Sequence, residues 1–252
     1  MIKLTKRTTK SILIGSIVLT LVACGGGGGG GGVSSFTDSE IKATLVANTF
    51  TNWDVYNGKP AVISRYSPDP MTRIVTIRIY LPDASTSDEV DYRQKFLNSV
   101  ALYNQKFLGY IKLDVINTPL SFDVTNNQGY WRISYNTAFV PTGSSDFQSY
   151  CANVSGGPNT GSNSYAPAAT TTWTYVNNVL NKMVWWINLS NGRCSLSQDI
   201  VTHEIGHALG FTGHFSGFGD GPPISDNFWS TLLTLYKNPL ATPIDQVTIY
   251  RN

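Results

Sequence analysis

Charge is scarce in this sequence. Only 13% of its 252 residues are Asp, Glu, Lys or Arg, and no basic stripe is present that could neutralise a row of phosphates. A nucleic-acid partner is therefore not expected. The most apolar stretch, residues 11–23 (SILIGSIVLTLVA), is shorter than the ~20 residues an ordinary membrane-spanning helix needs. No internal repeat is visible, so the period that would announce a solenoid or propeller is missing. Cysteine, methionine and histidine occur three times each, and any chemistry resting on them draws on very few positions. What is abundant is aromatic: six Trp and thirteen Tyr, within a chain that is 41% hydrophobic. That is the composition of a globular chain, neither disordered nor fibrous.

The N-terminus reads as an export signal. Lys3, Lys6, Arg7 and Lys10 precede the apolar stretch, which is bounded by no charge until well past Cys24. With the segment 1–23 removed, the 18 basic residues fall by four to 14 against 16 acidic ones, a net charge near −2. Leu21-Val22-Ala23-Cys24 resembles the lipobox of bacterial lipoproteins, whose cysteine is acylated and becomes the new N-terminus. By that resemblance Gly25, in place of Asp, favours the outer membrane of a Gram-negative cell. The expected location is thus the cell envelope, with the membrane held through a lipid on Cys24. Gly25–Gly32 forms a flexible leash of roughly 15 Å r.m.s. span, and residues 24–35 serve as a tether. Cys151 and Cys194 remain as an even pair in an oxidising compartment, and one disulfide is expected between them, with two unpaired buried cysteines as the alternative.

One domain is expected over 36–252, with its core at about 60–252. Residues 33–58 form a polar lead of poor pattern. Residues 72–81 (TRIVTIRIYL) alternate with the period of a strand. Thr86 and Glu89 stand three apart as a capping box, ahead of Val90, Phe96, Leu97, Val100, Leu102 and Phe107, so a helix is expected over about 87–108. Strands are expected at Ile111–Ile116, Tyr130–Tyr135 and residues 183–189. Between them, 141–172 is rich in Ser, Gly, Asn, Pro and Thr and reads as loop; Asp146 is one of its few carboxylates, too few to predict a calcium site with force. Ser197 or Ser195 is expected to cap a helix that runs into the histidines, and Asp226 to cap a last helix over 227–237.

All three histidines lie in one run: His203-Glu204-Ile205-Gly206-His207-Ala208-Leu209-Gly210-Phe211-Thr212-Gly213-His214. Residues four apart project from one helix face, so His203 and His207 can converge on one metal ion. Glu204 is turned about 100° away and is not a ligand on that geometry; its carboxylate is placed to work as a general base on a water in the open metal position. Were the helix to continue, His214 would lie about 10 Å beyond His207, too far to share an ion. Gly210 is the residue able to end it by taking a left-handed conformation.

This run resembles the extended zinc signature of the metzincin peptidases, and its His-Glu-Ile-Gly-His core is similar to the bacterial HEIGH-type metallopeptidases. The resemblance implies one catalytic Zn²⁺ held by His203, His207 and His214, with Glu204 as the general base of a zinc-dependent endopeptidase acting on protein or peptide substrates. It implies an α/β (α+β) zincin fold, with a mixed twisted sheet, backing helix and active-site helix in an N-terminal lobe and a small one-helix C-terminal lobe. The preceding strand, helix, strand, strand order is similar to such a lobe. The chain departs from the pattern twice. The third ligand usually stands three residues after the glycine, where this chain has Gly213, one residue before His214. Metzincins also place a methionine turn beneath the metal, whereas Met1, Met71 and Met183 all precede the motif. Leu235 is the expected substitute for that floor, and Tyr236 the candidate for a tyrosine that steadies the tetrahedral intermediate; a core or surface tyrosine is the plainer reading. Asp220 and Asp226 are the fallback third ligands. Substrate is expected to pair with a sheet edge, with 171–177 the candidate edge, and the chain is expected to be monomeric. The competing reading is a surface-anchored lipoprotein that binds a metal without turnover.

Overall fold

The computed structural model describes residues 34–49, 51, 58, 60–118, 131–134, 152–156, 175–176, 179–180, 185–189 and 196–252. The expected export signal and glycine tether, Cys24, Cys151, Cys194 and Asp146 lie outside the described residues. Among those described, no helix is long and apolar enough to cross a membrane.

The chain is mixed α/β. Among the described residues, four α-helices, α1 (Asp38–Asn48), α2 (Ser87–Lys106), α3 (Gln198–Ala208) and α4 (Asp226–Lys237), accompany the strands β1 (Arg65–Tyr66), β2 (Val75–Pro82), β3 (Ile111–Thr118), β4 (Trp131–Ser134), β5 (Asn153–Gly156), β6 (Tyr175–Val176), β7 (Val179–Leu180), β8 (Trp185–Asn188), β9 (Phe215–Ser216) and β10 (Gly219–Asp220). The main sheet has the order β3-β2-β4-β8-β5. Its first four strands are parallel, from Val75↔Ile111 through Pro82↔Thr118 and on to Ser134↔Asn188, while β5 runs antiparallel to β8 at the edge. A parallel pair cannot be joined by a tight turn, and α2 supplies the crossover between β2 and β3.

Local chemistry accounts for these elements. In β2, Val75, Ile77, Ile79 and Leu81 are buried, the alternation expected from the sequence. The Thr86/Glu89 capping box is formed at the start of α2. The buried face of that helix is Tyr92, Phe96, Ser99, Val100 and Tyr103, with Phe107 at its C-cap; Val90 of the expected face is 57% exposed. Ser197 caps α3 through Ile200 N. Ser225, rather than Asp226, caps α4, its Oγ accepting from Asn227 N at 3.2 Å. Asp226 instead sits in the first turn, where a carboxylate meets the positive end of the helix dipole.

The polar lead is a correction to the sequence reading. It contains α1, started by a second capping box in which Thr37 Oγ1 accepts from Glu40 N and Glu40 Oε2 accepts from Thr37 N at 2.7 Å. With only Ile41, Thr44 and Leu45 buried, α1 carries too thin an apolar stripe for its periodicity to stand out. The helix packs against α4, so the first and last helices form one layer. Arg251 of the C-terminal tail donates to Asp38 Oδ1 and to Phe36 O, tying that tail to the start of α1.

The helix α3, which carries His203 and His207, is clamped by α2. Tyr103 Oη donates to Thr202 O at 2.8 Å, Ser99 Oγ meets Thr202 Oγ1 at 2.9 Å, and Gln198 Nε2 donates to Lys95 O at 2.8 Å. These buried polar groups need specific partners, and the match holds α3 at one rotation about its axis.

Candidate metal centre

The side chains of His203, His207 and His214 come together in one cluster. His203 and His207 project from the same face of α3, as the four-residue spacing requires. His214 arrives by a turn. Leu209 closes α3, and Gly210 follows at φ 123°, its N–H bonded to His207 O at 3.0 Å. The extra residue relative to the metzincin spacing is absorbed against α1: Thr212 N donates to Asn48 O at 2.8 Å, and Thr49 forms a bridge with Phe211. A Cβ on Gly213 would stand 2.8 Å from Asn48 Oδ1, so any larger residue here must push the Asn48 side chain aside. The Nε2 atoms then lie 3.0 Å (His203–His207), 3.1 Å (His203–His214) and 3.2 Å (His207–His214) apart.

The tautomers follow from the partners. A carbonyl oxygen can only accept, so His203 Nδ1, 3.1 Å from Pro223 O, and His207 Nδ1, 2.8 Å from Phe211 O, both carry protons. Burial pushes His203 down to about 2, helped by the neighbouring His207, and burial likewise takes His207 down to about 4, so both rings are neutral. Their Nε2 lone pairs therefore face each other at 3.0 Å, and neither ring can donate to the other. Two lone pairs held this close form a focus that suits a cation, and carbonyl-anchored imidazoles are how proteins orient metal ligands. His214 is lowered by burial too, with the Asp220 carboxylate opposing.

Glu204 is buried at 5% exposure, and burial raises its carboxyl to about 8. A dication bound by the histidines would oppose that shift and favour the carboxylate.

Two residues the sequence reading did not single out complete the site. Phe218 stacks on His203 with centroids 4.1 Å apart, meets His207 edge-on at 4.8 Å, and lies 6.0 Å from His214. It is an apolar surface against the histidines; the expected floor residue, Leu235, is buried in α4. Gly219, at φ 82°, passes so near that a Cβ would stand 2.7 Å from His214 Cγ and Cδ2. The signal was the Gly217-Phe218-Gly219 triplet shortly after the last histidine, whose meaning depends on where the turn folds.

Tyr236 is buried, and its hydroxyl donates to Leu209 O at 2.7 Å. Tyr66 Oη donates to Ala208 O at 3.1 Å. The two tyrosines satisfy carbonyls that the end of α3 leaves open, so Tyr236 takes the plainer, structural role. Neither Asp220 nor Asp226 belongs to the metal cluster: Asp220 is exposed, and Asp226 Oδ1 accepts from Asn252 Nδ2 at 2.6 Å. Of the expected sheet edge at 171–177, only Tyr175–Val176 lies within the described residues; it is β6, the edge strand of a separate small sheet of order β1-β7-β6.

No family model matches this sequence, and a search of curated proteins finds no match either.

Proposed function

We propose that the chain is a zinc-dependent endopeptidase of the metzincin kind with a zincin fold, exported and tethered through a lipid on Cys24. The observation that carries this reading is the convergence of three Nε2 atoms within 3.2 Å of one another beside the buried Glu204. Ligands of a tetrahedral zinc at ~2.0–2.1 Å stand ~3.3–3.4 Å apart, so the three histidines need to spread by only a few tenths of an ångström. Three imidazoles leave the ion its double charge and one open position, the pattern of a hydrolytic rather than a closed structural site. Bound zinc supplies Lewis acidity, lowering the pKa of a water and polarising a carbonyl.

The protein's own part is proton transfer and positioning. Glu204 takes a proton from the water as it attacks the scissile carbonyl and delivers it to the departing amine. Pro223 O and Phe211 O hold the imidazoles in the tautomer that presents Nε2. The substrate backbone adds as a strand along β5, the sheet edge that pairs with β8 and packs against α3.

The test is digestion of casein or gelatin by soluble protein beginning at residue 33. Cleavage abolished by a chelator, and reduced by roughly 10²–10⁴ in Glu204→Gln with zinc affinity retained, is the expected result. Zinc binding without cleavage across a broad substrate panel would turn the assignment to a binding lipoprotein.

A further inference from the structure

We infer that Phe218 is a positioning residue for the metal site, one aromatic ring that fixes the orientation of the histidine ligands. The inference rests on the metal reading of the three histidines and not on peptide hydrolysis. A histidine's terminal torsion is broad and does not fix the ring plane by itself, so an imidazole needs outside restraint to aim Nε2. One restraint on His203 and His207 is the Nδ1 hydrogen bond to a carbonyl. The second is a ring face or edge, and Phe218 supplies it to both: stacked on His203 at 25° and set against His207 at 61°. Among the described residues, the ring contacts of the three histidines are with one another and with Phe218.

The ring is itself immobilised. It is fully buried, lies nearly parallel to Phe228 at 4.9 Å, and touches Phe211 and Phe215. Its backbone exchanges hydrogen bonds with Phe215, N to O at 2.7 and 3.0 Å, around a turn with Gly217 at φ 91°. Space for it comes from within the metal motif: a Cβ on Gly206 would stand 2.8 Å from Cε2 of both Phe218 and Phe228. The glycine between the two helical histidines thus admits the ring that restrains them.

The experiment substitutes Co²⁺ into the full-length chain and records its visible absorption, with zinc affinity measured by chelator competition. Phe218→Leu keeps an apolar side chain but removes the planar face, and Phe107→Leu removes a buried ring with no histidine contact. Phe218→Leu is expected to change the cobalt spectrum and weaken zinc binding roughly 10- to 100-fold, the usual effect of removing a group that orients a ligand. Phe107→Leu is expected to lower stability while leaving spectrum and affinity as in the parent. Should Phe218→Leu not fold, Phe218→Met is read in the same way. A parent-like spectrum and affinity in the Phe218 variant would overturn the inference alone, as would equal changes in Phe107→Leu. A parent chain that takes up neither metal would overturn the metal reading together with it.

Discussion

Gly219→Ala isolates the contact that seats His214, the proposed third ligand. The new Cβ would stand 2.7 Å from His214 Cγ and Cδ2 and 3.0 Å from His203 Cε1. Carbon atoms settle at ~3.5–4.0 Å, so the His214 ring must retreat by about 1 Å. His203 cannot share the movement easily, being held between Pro223 O and Phe218. Metal–ligand distances tolerate only ~0.2 Å, so zinc affinity should fall about 100-fold, or ~2.7 kcal/mol. A positive φ adds its own penalty of ~1–2 kcal/mol for any residue with a Cβ, and that strain must be separated from the contact. Gly221→Ala is the control: its φ of 87° matches the 82° of Gly219, yet its Cβ would meet nothing within 4 Å. Chelator-competition titration and thermal unfolding of both variants complete the test. Both should lose stability, and only Gly219→Ala should lose zinc affinity. Equal affinities in the two variants would refute the contact argument.

Gly206→Ala sets two terms against each other, and urea denaturation reads their difference. Removing a helical glycine gains ~1 kcal/mol, while forcing a methyl against two buried rings at 2.8 Å costs ~1–3 kcal/mol, so the midpoint should fall; a rise would show that the rings move freely. The metal-free protein should be most stable near pH 6.5. His203 and His207 are lowered from 6.5 in the folded state, so their contribution is present above 6.5 and lost as pH falls toward about 4 and about 2. Glu204 is raised from 4.5 to about 8, so its contribution is present below 4.5 and lost as pH rises toward 8. Between 4.5 and 6.5 the two histidines outweigh the one carboxyl. Above 6.5 only Glu204 remains, with a decline of about 2 kcal/mol by pH 8 that Glu204→Gln should abolish. Chemical denaturation in a chelator across this range measures it, and a plateau from 6.5 to 8 in the parent would refute the assignment.

The elements legible in the sequence are those with local causes. The β2 alternation, the Thr86/Glu89 box and the Ser197 cap each lie within a few residues of what they specify, and each is formed. Helix α1 announced itself by Thr37 and Glu40 in the same spacing, but its thin apolar stripe concealed it. Its importance is invisible locally, because Asn48 and Thr49 meet Thr212 and Phe211, more than 160 residues later in the chain.

The same division runs through the site. That His203 and His207 share a face, with Glu204 beside them, was determined by the sequence alone, since helix periodicity sets it within five residues. How His214 returns was decided by tertiary structure: Gly210 permits the turn, but α1 supports it and Gly219 leaves room for the ring. The packing of Phe218 on the histidines was likewise tertiary, because its contacts with His203, Phe228 and Gly206 depend on three segments meeting. Tyr236 could be read at the metal or at the end of α3, and only the fold spends its hydroxyl on Leu209 O. Short-range periodicity survives in a one-dimensional sequence, whereas a contact between distant segments exists only once the chain has closed around its core.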